Sequence, residues 1–282
     1  MVSGEFPASK DSQTIPFNLV MQFPDTGENQ DTEKEKSINV EVIVNYEVKA
    51  TTFATDTLDT IAAVVQNGKA SSYKIGDEKE VEIDGKSYTV RVANNTTPEE
   101  CNSEDFSQTA CGFVVEFVDI VETRAMNGTK TNVGGWPASN MRTYANGDFF
   151  NKLPSNLQNV IIDTKVISGH DSTSGETNFT STNKIYLLSA KEVWIDESSS
   201  GVSSYDSAYN NTRQLDYYSA KGVTTSSCTN AIKQNNGSNA AWWLRSASSG
   251  TSNNFLYVYS SSNWGTSFAN SSYGFAPAFR IR

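Results

Sequence analysis

The chain has 282 residues, of which 37% are apolar, 19% charged and 11% aromatic. Twenty-two basic against 32 acidic side chains give a net charge of −10. That aromatic content excludes an unfolded polar chain. The negative surface repels phosphate backbones and excludes nucleic acid as partner. No run of ~18 apolar residues is present to span a membrane.

The first segment holds two candidate strands, residues 15–23 and 37–50, around a solvated acidic loop. In the second, Ile38, Val40, Val42 and Val44 alternate with Asn39, Glu41, Ile43 and Asn45, the period of a half-buried strand. The first ten residues lack the apolar run of a signal peptide, so a mature or trimmed chain is expected. A short helix follows. Asp56 or Thr57 caps it, Leu58, Ile61, Ala62 and Val65 form its inner stripe, and Asn67-Gly68 ends it.

Strands EVEIDG and KSYTVRVAN meet at Asp84-Gly85, a strong hairpin signal. GFVVEFVDIVETRAM reads as one further strand. Between them, Cys101 and Cys111 bracket a polar loop; a disulfide and two thiols are both open, because Cys228 makes the count odd. Two helices are expected over residues 137–150, with Met141, Tyr144 and Phe149 inward, and 155–162, with Leu157, Val160 and Ile161 inward. KVISG and KIYLLSAKEVW read as strands, residues 195–239 mostly as loop with a helix at 214–220, and AAWWLRSA, NNFLYVYS and FAPAFRIR as closing strands. The last carboxylate side chain is Asp216, so the C-terminal quarter differs chemically from the rest.

NVGGWPASNMRTYANGDFFNKLP, NKIYLLSAKEVW, AAWWLRSAS and YGFAPAFRIR, in this order, resemble C-type-lectin-like domains on surface proteins of gut bacteria and their prophages. Some members of that group are variable proteins of diversity-generating retroelements. The resemblance covers roughly residues 75–282, and WWLRS and GFAP are its most specific markers. It implies an α+β, C-type-lectin-like fold: two helices beside small twisted antiparallel sheets, preceded by a β-rich N-terminal segment. The expected division is residues 1–55, resembling the end of an exported fibre-type domain, and a lectin-like domain over 56–282 with its ligand surface in about 240–282. It also implies display at the cell surface or outside the cell.

In FLYVYS, Leu256 and Val258 share one face and Tyr257 and Tyr259 the other, so the tyrosines are expected to face solvent. With Ser262, Asn263, Trp264, Thr266, Phe268, Asn270, Ser272 and Tyr273 they form the expected ligand-binding set. Tyr and Trp supply rigid contact area and Ser and Asn adaptable hydrogen bonds, the composition of binding loops. Cross-strand packing of the tyrosines is the competing reading. Trp242, Trp243, Leu244 and Arg245 match the framework motif of the resembling group and are assigned to scaffold, with Arg245 anchoring a carboxylate or backbone carbonyls as a half-buried ion pair.

Enzyme chemistry finds little to work with. His170, the single histidine, reads as a solvated loop residue and Asp171 follows it directly, an arrangement unsuited to a Ser-His-Asp triad. Formylglycine-generating enzymes share the lectin-like fold but work through late cysteines, and no thiol follows Cys228. The carboxylate cage of calcium-dependent lectins has no acidic residue after Asp216 to build it there. Glu99, Glu100 and Glu197 lie in hydrophilic stretches and read as solvated faces. The expectation is therefore a binding protein with no cofactor and no metal, directed at a protein ligand on another cell or a phage. A structural adhesin or fibre module, and a calcium-independent glycan-binding module, are the alternatives.

Overall fold

A computed structural model describes residues 52–197, 201–261 and 263–282. The candidate strands at 15–23 and 37–50, the N-terminal β segment and Ser262 lie outside these residues. The chain divides after Ala50. Phe53 already belongs to the core of the second unit, its ring 5.8 Å from that of Tyr73 and 6.0 Å from that of Phe113. The domain edge therefore falls ahead of Phe53 rather than after residue 55.

Helix α1 (Leu58–Gln66) starts where the Thr57 hydroxyl accepts the Thr60 amide at 3.2 Å and ends at Asn67, with Gly68 at φ +72°. Leu58, Ile61 and Ala62 are buried and Val65 is half-buried. Strands β1 (Glu78–Ile83) and β2 (Lys86–Asn94) pair in register about Asp84 and Gly85. Both turn residues have positive φ, 51° and 74°, as a tight type I′ hairpin requires. Cys101 and Cys111 form a disulfide and pack with Phe106 as a small separate cluster.

The expected single strand after Cys111 is two. Strand β3 (Val114–Phe117) is buried at every position and β4 (Glu122–Ala125) lies in a different sheet. Between them the Val118 and Ile120 amides bond to the carbonyls of Thr89 and Gln234, so the chain leaves one sheet's ladder and turns into the other. The helical region also differs in detail. α2 (Gly135–Ala138) stops at extended Ser139, whose hydroxyl caps α3 (Asn140–Tyr144) by accepting the Arg142 amide. A π-helical turn (Ala145–Phe149) carries it into α4 (Phe150–Lys152), and α5 (Ser155–Val160) follows Pro154. Met141, Tyr144, Phe149, Leu157, Val160 and Ile161 are all buried, as the periodicity expects.

Strands β5 (Thr164–Ser168) and β6 (Phe179–Asn183) form a hairpin. KIYLLSAKEVW is strand only at β7 (Ile185–Tyr186); Ala190–Val193 is helix α6. Glu192 explains the change, because its carboxylate reaches back to accept the Ser189 amide at 3.0 Å, the carboxylate half of a capping box. Helix α7 (Asp216–Ala220) lies inside the expected 214–220. A hairpin the expectation lacked, β8 (Lys233–Asn235) and β9 (Ser238–Ala240), turns at Asn236-Gly237. The chain ends with β10 (Trp242–Ala247), β11 (Asn254–Val258), β12 (Trp264–Phe268), β13 (Ser272–Phe275) and β14 (Ala278–Arg280).

The domain is α+β. One sheet has the order β1-β2-β3-β14-β7 and the other β12-β11-β10-β13-β4. Pairing is antiparallel except between β10 and β13, where Trp242 sits opposite Gly274 in parallel. The first sheet carries a buried charge cluster. The Glu116 carboxylate takes the Arg91 guanidinium at 2.9 Å and the Lys233 ammonium at 3.0 Å, and the Tyr218 hydroxyl donates to it at 3.0 Å. Burial raises the Glu116 carboxyl, but the two cations outweigh it and hold the group below the usual carboxylate range.

Candidate functional site

The C-terminal strands divide the expected ligand set between two faces of the second sheet. Tyr257 stands opposite Trp243 on β10 and Gly265 on β12. Trp264, Thr266 and Phe268 stand opposite Val258, Leu256 and Asn254, so they project from the other face. β12 is the sheet's edge strand, and side chains from both its faces reach solvent, Trp264 to Ser267 being half-buried and Phe268 exposed.

On the first face the aromatic rings make a continuous layer. Tyr257 stacks on Tyr273 at 4.6 Å with 12° between planes, and Trp243 meets the Tyr273 ring edge-on at 4.8 Å. Tyr259 closes the layer against Tyr257 at 4.7 Å. Tyr257 is consequently only 5% exposed, against the expectation that it faces solvent. The physical reason is the gap above Gly265. A Cβ there would lie 2.6 Å from the Tyr259 ring and 3.1 Å from that of Tyr257, so the missing side chain is the space the two rings occupy. Cross-strand packing prevails for Tyr257. Burial, with hydrogen bonding to the Tyr259 and Tyr273 side chains, pushes its phenol well above the ordinary tyrosine range.

Tyr259 itself is 44% exposed, as is Phe268. Asn263, Asn270 and Ser272 are exposed, and Trp264, Thr266 and Tyr273 are half-buried. Tyr259, just past the end of β11, and Phe268, the last residue of β12, thus mark opposite ends of the β11–β12 hairpin. Two partners were not foreseen. Tyr205, 38% exposed in the 3₁₀ turn Val202–Tyr205, lies 5.1 Å from the Trp264 ring, and the Lys130 ammonium sits 4.3 Å over the Phe268 ring. A lone tyrosine within GVSSYDS shows no periodicity, and its Ser-rich setting is the one signal that could have pointed to it.

The scaffold residues are buried throughout. Trp242 donates its indole N–H to the Ala231 carbonyl at 3.0 Å and Trp243 to that of Arg124 at 2.9 Å. Arg245 is fully rather than half-buried. Its two terminal nitrogens each lie 2.6 Å from a Glu192 oxygen, one also donating to the Leu187 carbonyl and the other to the Thr109 hydroxyl. Burial raises the Glu192 carboxyl, but Arg245 outweighs it and the group stays below the usual range.

Of the discounted chemistry, Glu99, Glu100 and Glu197 are exposed. His170 is half-buried, not freely solvated, with Nδ1 at 2.5 Å from the Asp171 carbonyl. Two clefts, of about 160 and 540 Å³, open where β2 faces Val121 and Glu122. None of the expected ligand residues lines either of these two clefts.

These strands, with the residues that brace them, define an α+β domain whose C-terminal sheet carries an aromatic layer at its edge. Residues 114–282 match the family described as a domain of unknown function, DUF6273, and the chain belongs to that family. The matched stretch runs from β3 to the C-terminus and contains every expected ligand and scaffold residue. No curated protein and no solved structure matches the chain.

Proposed function

We propose that this is a ligand-binding protein displayed outside the cell on a C-type-lectin-like scaffold, and that the β12 edge and its flanking turns recognise a protein. In this reading it resembles the variable proteins of diversity-generating retroelements, and no catalysis is involved. The observation that carries it is the pair Tyr259 and Phe268, each 44% exposed, one just past the turn end of the β11–β12 hairpin and the other at its far end, on opposite faces of the sheet and backed by buried β10. Exposed rings on a rigid backing, set among Ser, Thr and Asn, are what low-entropy recognition uses.

The test is a display of extracellular proteins and glycans probed with the full chain and with Tyr259→Ala/Phe268→Ala. Saturable binding that falls at least about tenfold in the variant, with the melting temperature kept, supports the reading. Binding that the variant leaves unchanged refutes it. A glycan ligand is the second reading, favoured by Trp264, a half-buried ring beside Tyr205 among hydroxyl and amide groups. Saturable glycan binding lost in Trp264→Ala would select it.

A further inference from the structure

The two five-stranded sheets end in β1 and β7 on one side and in β12 and β4 on the other. β1 carries Glu78, Lys79, Glu80 and Glu82, β4 carries Glu122 and Arg124, and β7 is two residues long. Charges and shortness of this kind keep an edge from pairing with another chain. β12 has neither. Trp264–Phe268 contains no charge and no proline, and it pairs with β11 without a bulge. Its two ends show which backbone groups point outward. The Tyr259 amide bonds to the Asn263 carbonyl at 2.7 Å and the Ala269 amide to the Asn253 carbonyl at 2.9 Å, so positions 263 and 269 face β11. Alternation then turns Gly265 and Ser267 toward β11, and Trp264, Thr266 and Phe268 toward the open edge. Two outward groups are already taken. The Trp264 amide donates to the Asn263 side-chain oxygen at 2.8 Å, and the Ser271 amide donates to the Phe268 carbonyl at 2.8 Å. The Trp264 carbonyl, the Thr266 amide and carbonyl, and the Phe268 amide remain open among the described residues.

We propose that β12 is the contact of a twofold dimer, in which the second sheets of two copies of this chain join edge to edge. The open groups are complementary to themselves. With a second copy antiparallel about an axis at Thr266, each Thr266 amide meets the other copy's Thr266 carbonyl, and each Phe268 amide meets the other copy's Trp264 carbonyl. The groups already capped, the Trp264 amide and the Phe268 carbonyl, stand opposite each other in this register, so no open donor or acceptor is left over. Sliding the strands by two residues keeps only half of these bonds. The register also sets Trp264 across from Phe268 of the second copy, an aromatic cross-strand pair, and Gly265 across from Ser267, both small. Charge favours the same contact. A net −10 drives copies apart, yet the strands brought nearest, β10, β11 and β12, contain no Asp or Glu. Pairing runs through the main chain and tolerates changed side chains, and the turns beyond positions 264 and 268 lie outside the paired stretch. The dimer does not rest on what the outer surface binds.

The experiment is sedimentation equilibrium of the full chain over a concentration series, with amide hydrogen exchange measured at its dilute and concentrated ends. The wild type moves from the 30.8 kDa of one chain to twice that mass. Half-conversion falls at roughly 10–100 μM, the weak association that a small contact supports. The Thr266 and Phe268 amides exchange several-fold more slowly in the concentrated sample. Thr266→Pro removes the central donor at an outward position, where an edge strand accommodates proline, and Thr266→Lys sets two cations across the axis. Both variants keep the single-chain mass where the wild type is dimeric, with circular dichroism unchanged, whereas Thr266→Val, which keeps the backbone, dimerises. A wild type that stays at the single-chain mass up to about ten times that concentration overturns the proposal. So does a dimer in which the Thr266 and Phe268 amides exchange as fast as in the single chain, because its contact then lies elsewhere.

Discussion

Arg245 and Glu192 lie 53 residues apart in sequence, and each terminal nitrogen of the guanidinium is 2.6 Å from a carboxylate oxygen. Both side chains are fully shielded from solvent. The pair ties β10, whose outer neighbours carry the candidate surface, to helix α6 and, through Thr109, to the disulfide loop. Removing one partner leaves a buried charge without its counterion. Arg245→Ala is therefore expected to cost about 3–5 kcal/mol in urea unfolding. Arg245→Met with Glu192→Leu is expected to recover most of that loss, because neither charge is then stranded. If both variants unfold at the same denaturant concentration, the pair is not what makes the single change costly.

The Glu116 cluster predicts the acid behaviour. Arg91 and Lys233 hold the Glu116 carboxyl below its unfolded value, and Arg245 does the same for Glu192. Depressed carboxyls in the folded chain mean that the unfolded chain binds protons first. Their stabilising contribution is then complete above the unfolded carboxylate range, roughly pH 4–5, and is lost as pH falls through the folded values. Urea midpoints measured downward from neutral pH should fall below about pH 5, and the fall should be shallower in Glu116→Gln. A pH-independent midpoint down to roughly pH 3 would contradict this.

Gly265 leaves room for two rings. In Gly265→Ala the new methyl meets Tyr259 and Tyr257, and overpacking of this kind costs about 1–3 kcal/mol. The half-exposed Tyr259 ring is the part free to move, so the cost is expected near the lower end and the near-ultraviolet circular dichroism of the tyrosines should change. Unchanged dichroism would mean the rings do not fill that space. By contrast, Tyr257→Ala opens a hole inside the layer and should cost about 3–5 kcal/mol, whereas Phe268→Ala should cost roughly 1 kcal/mol or less.

Reduction offers a further check. The Cys101–Cys111 link closes a loop with a sequence separation of 10, for which loop entropy predicts about 3 kcal/mol at most. Cys101→Ser/Cys111→Ser should remain folded at room temperature but melt earlier. An unchanged melting temperature would show that the loop's packing and hydrogen bonds, Phe106 and Thr109 among them, hold it without the disulfide.

Local rules read well where a single residue type dictates the backbone. Thr57, Asn67-Gly68 and Asp84-Gly85 set the bounds of α1 and the first hairpin, and the apolar period of 141–161 chose the right inward residues. Alternation failed where long-range pairing decides. Tyr257 has the pattern of an outward tyrosine, but Trp243 and Tyr273 reach it from strands that the sequence does not place beside it. Residues 190–193 have apolar neighbours on both sides and look like strand, yet they form a helical turn that the Glu192 carboxylate closes on the Ser189 amide. The partners of the candidate surface, Tyr205 and Lys130, come from distant loops that carry no periodic signal.

The most direct test of the recognition surface is the sequence of sister copies of this chain from closely related genomes. Replacements should concentrate at the outward positions 259, 263, 264, 266, 268, 270 and 272, while Tyr257, Gly265 and residues 242–245 stay fixed. Replacements spread evenly over the domain, or outward positions as constant as the aromatic layer, would contradict the account.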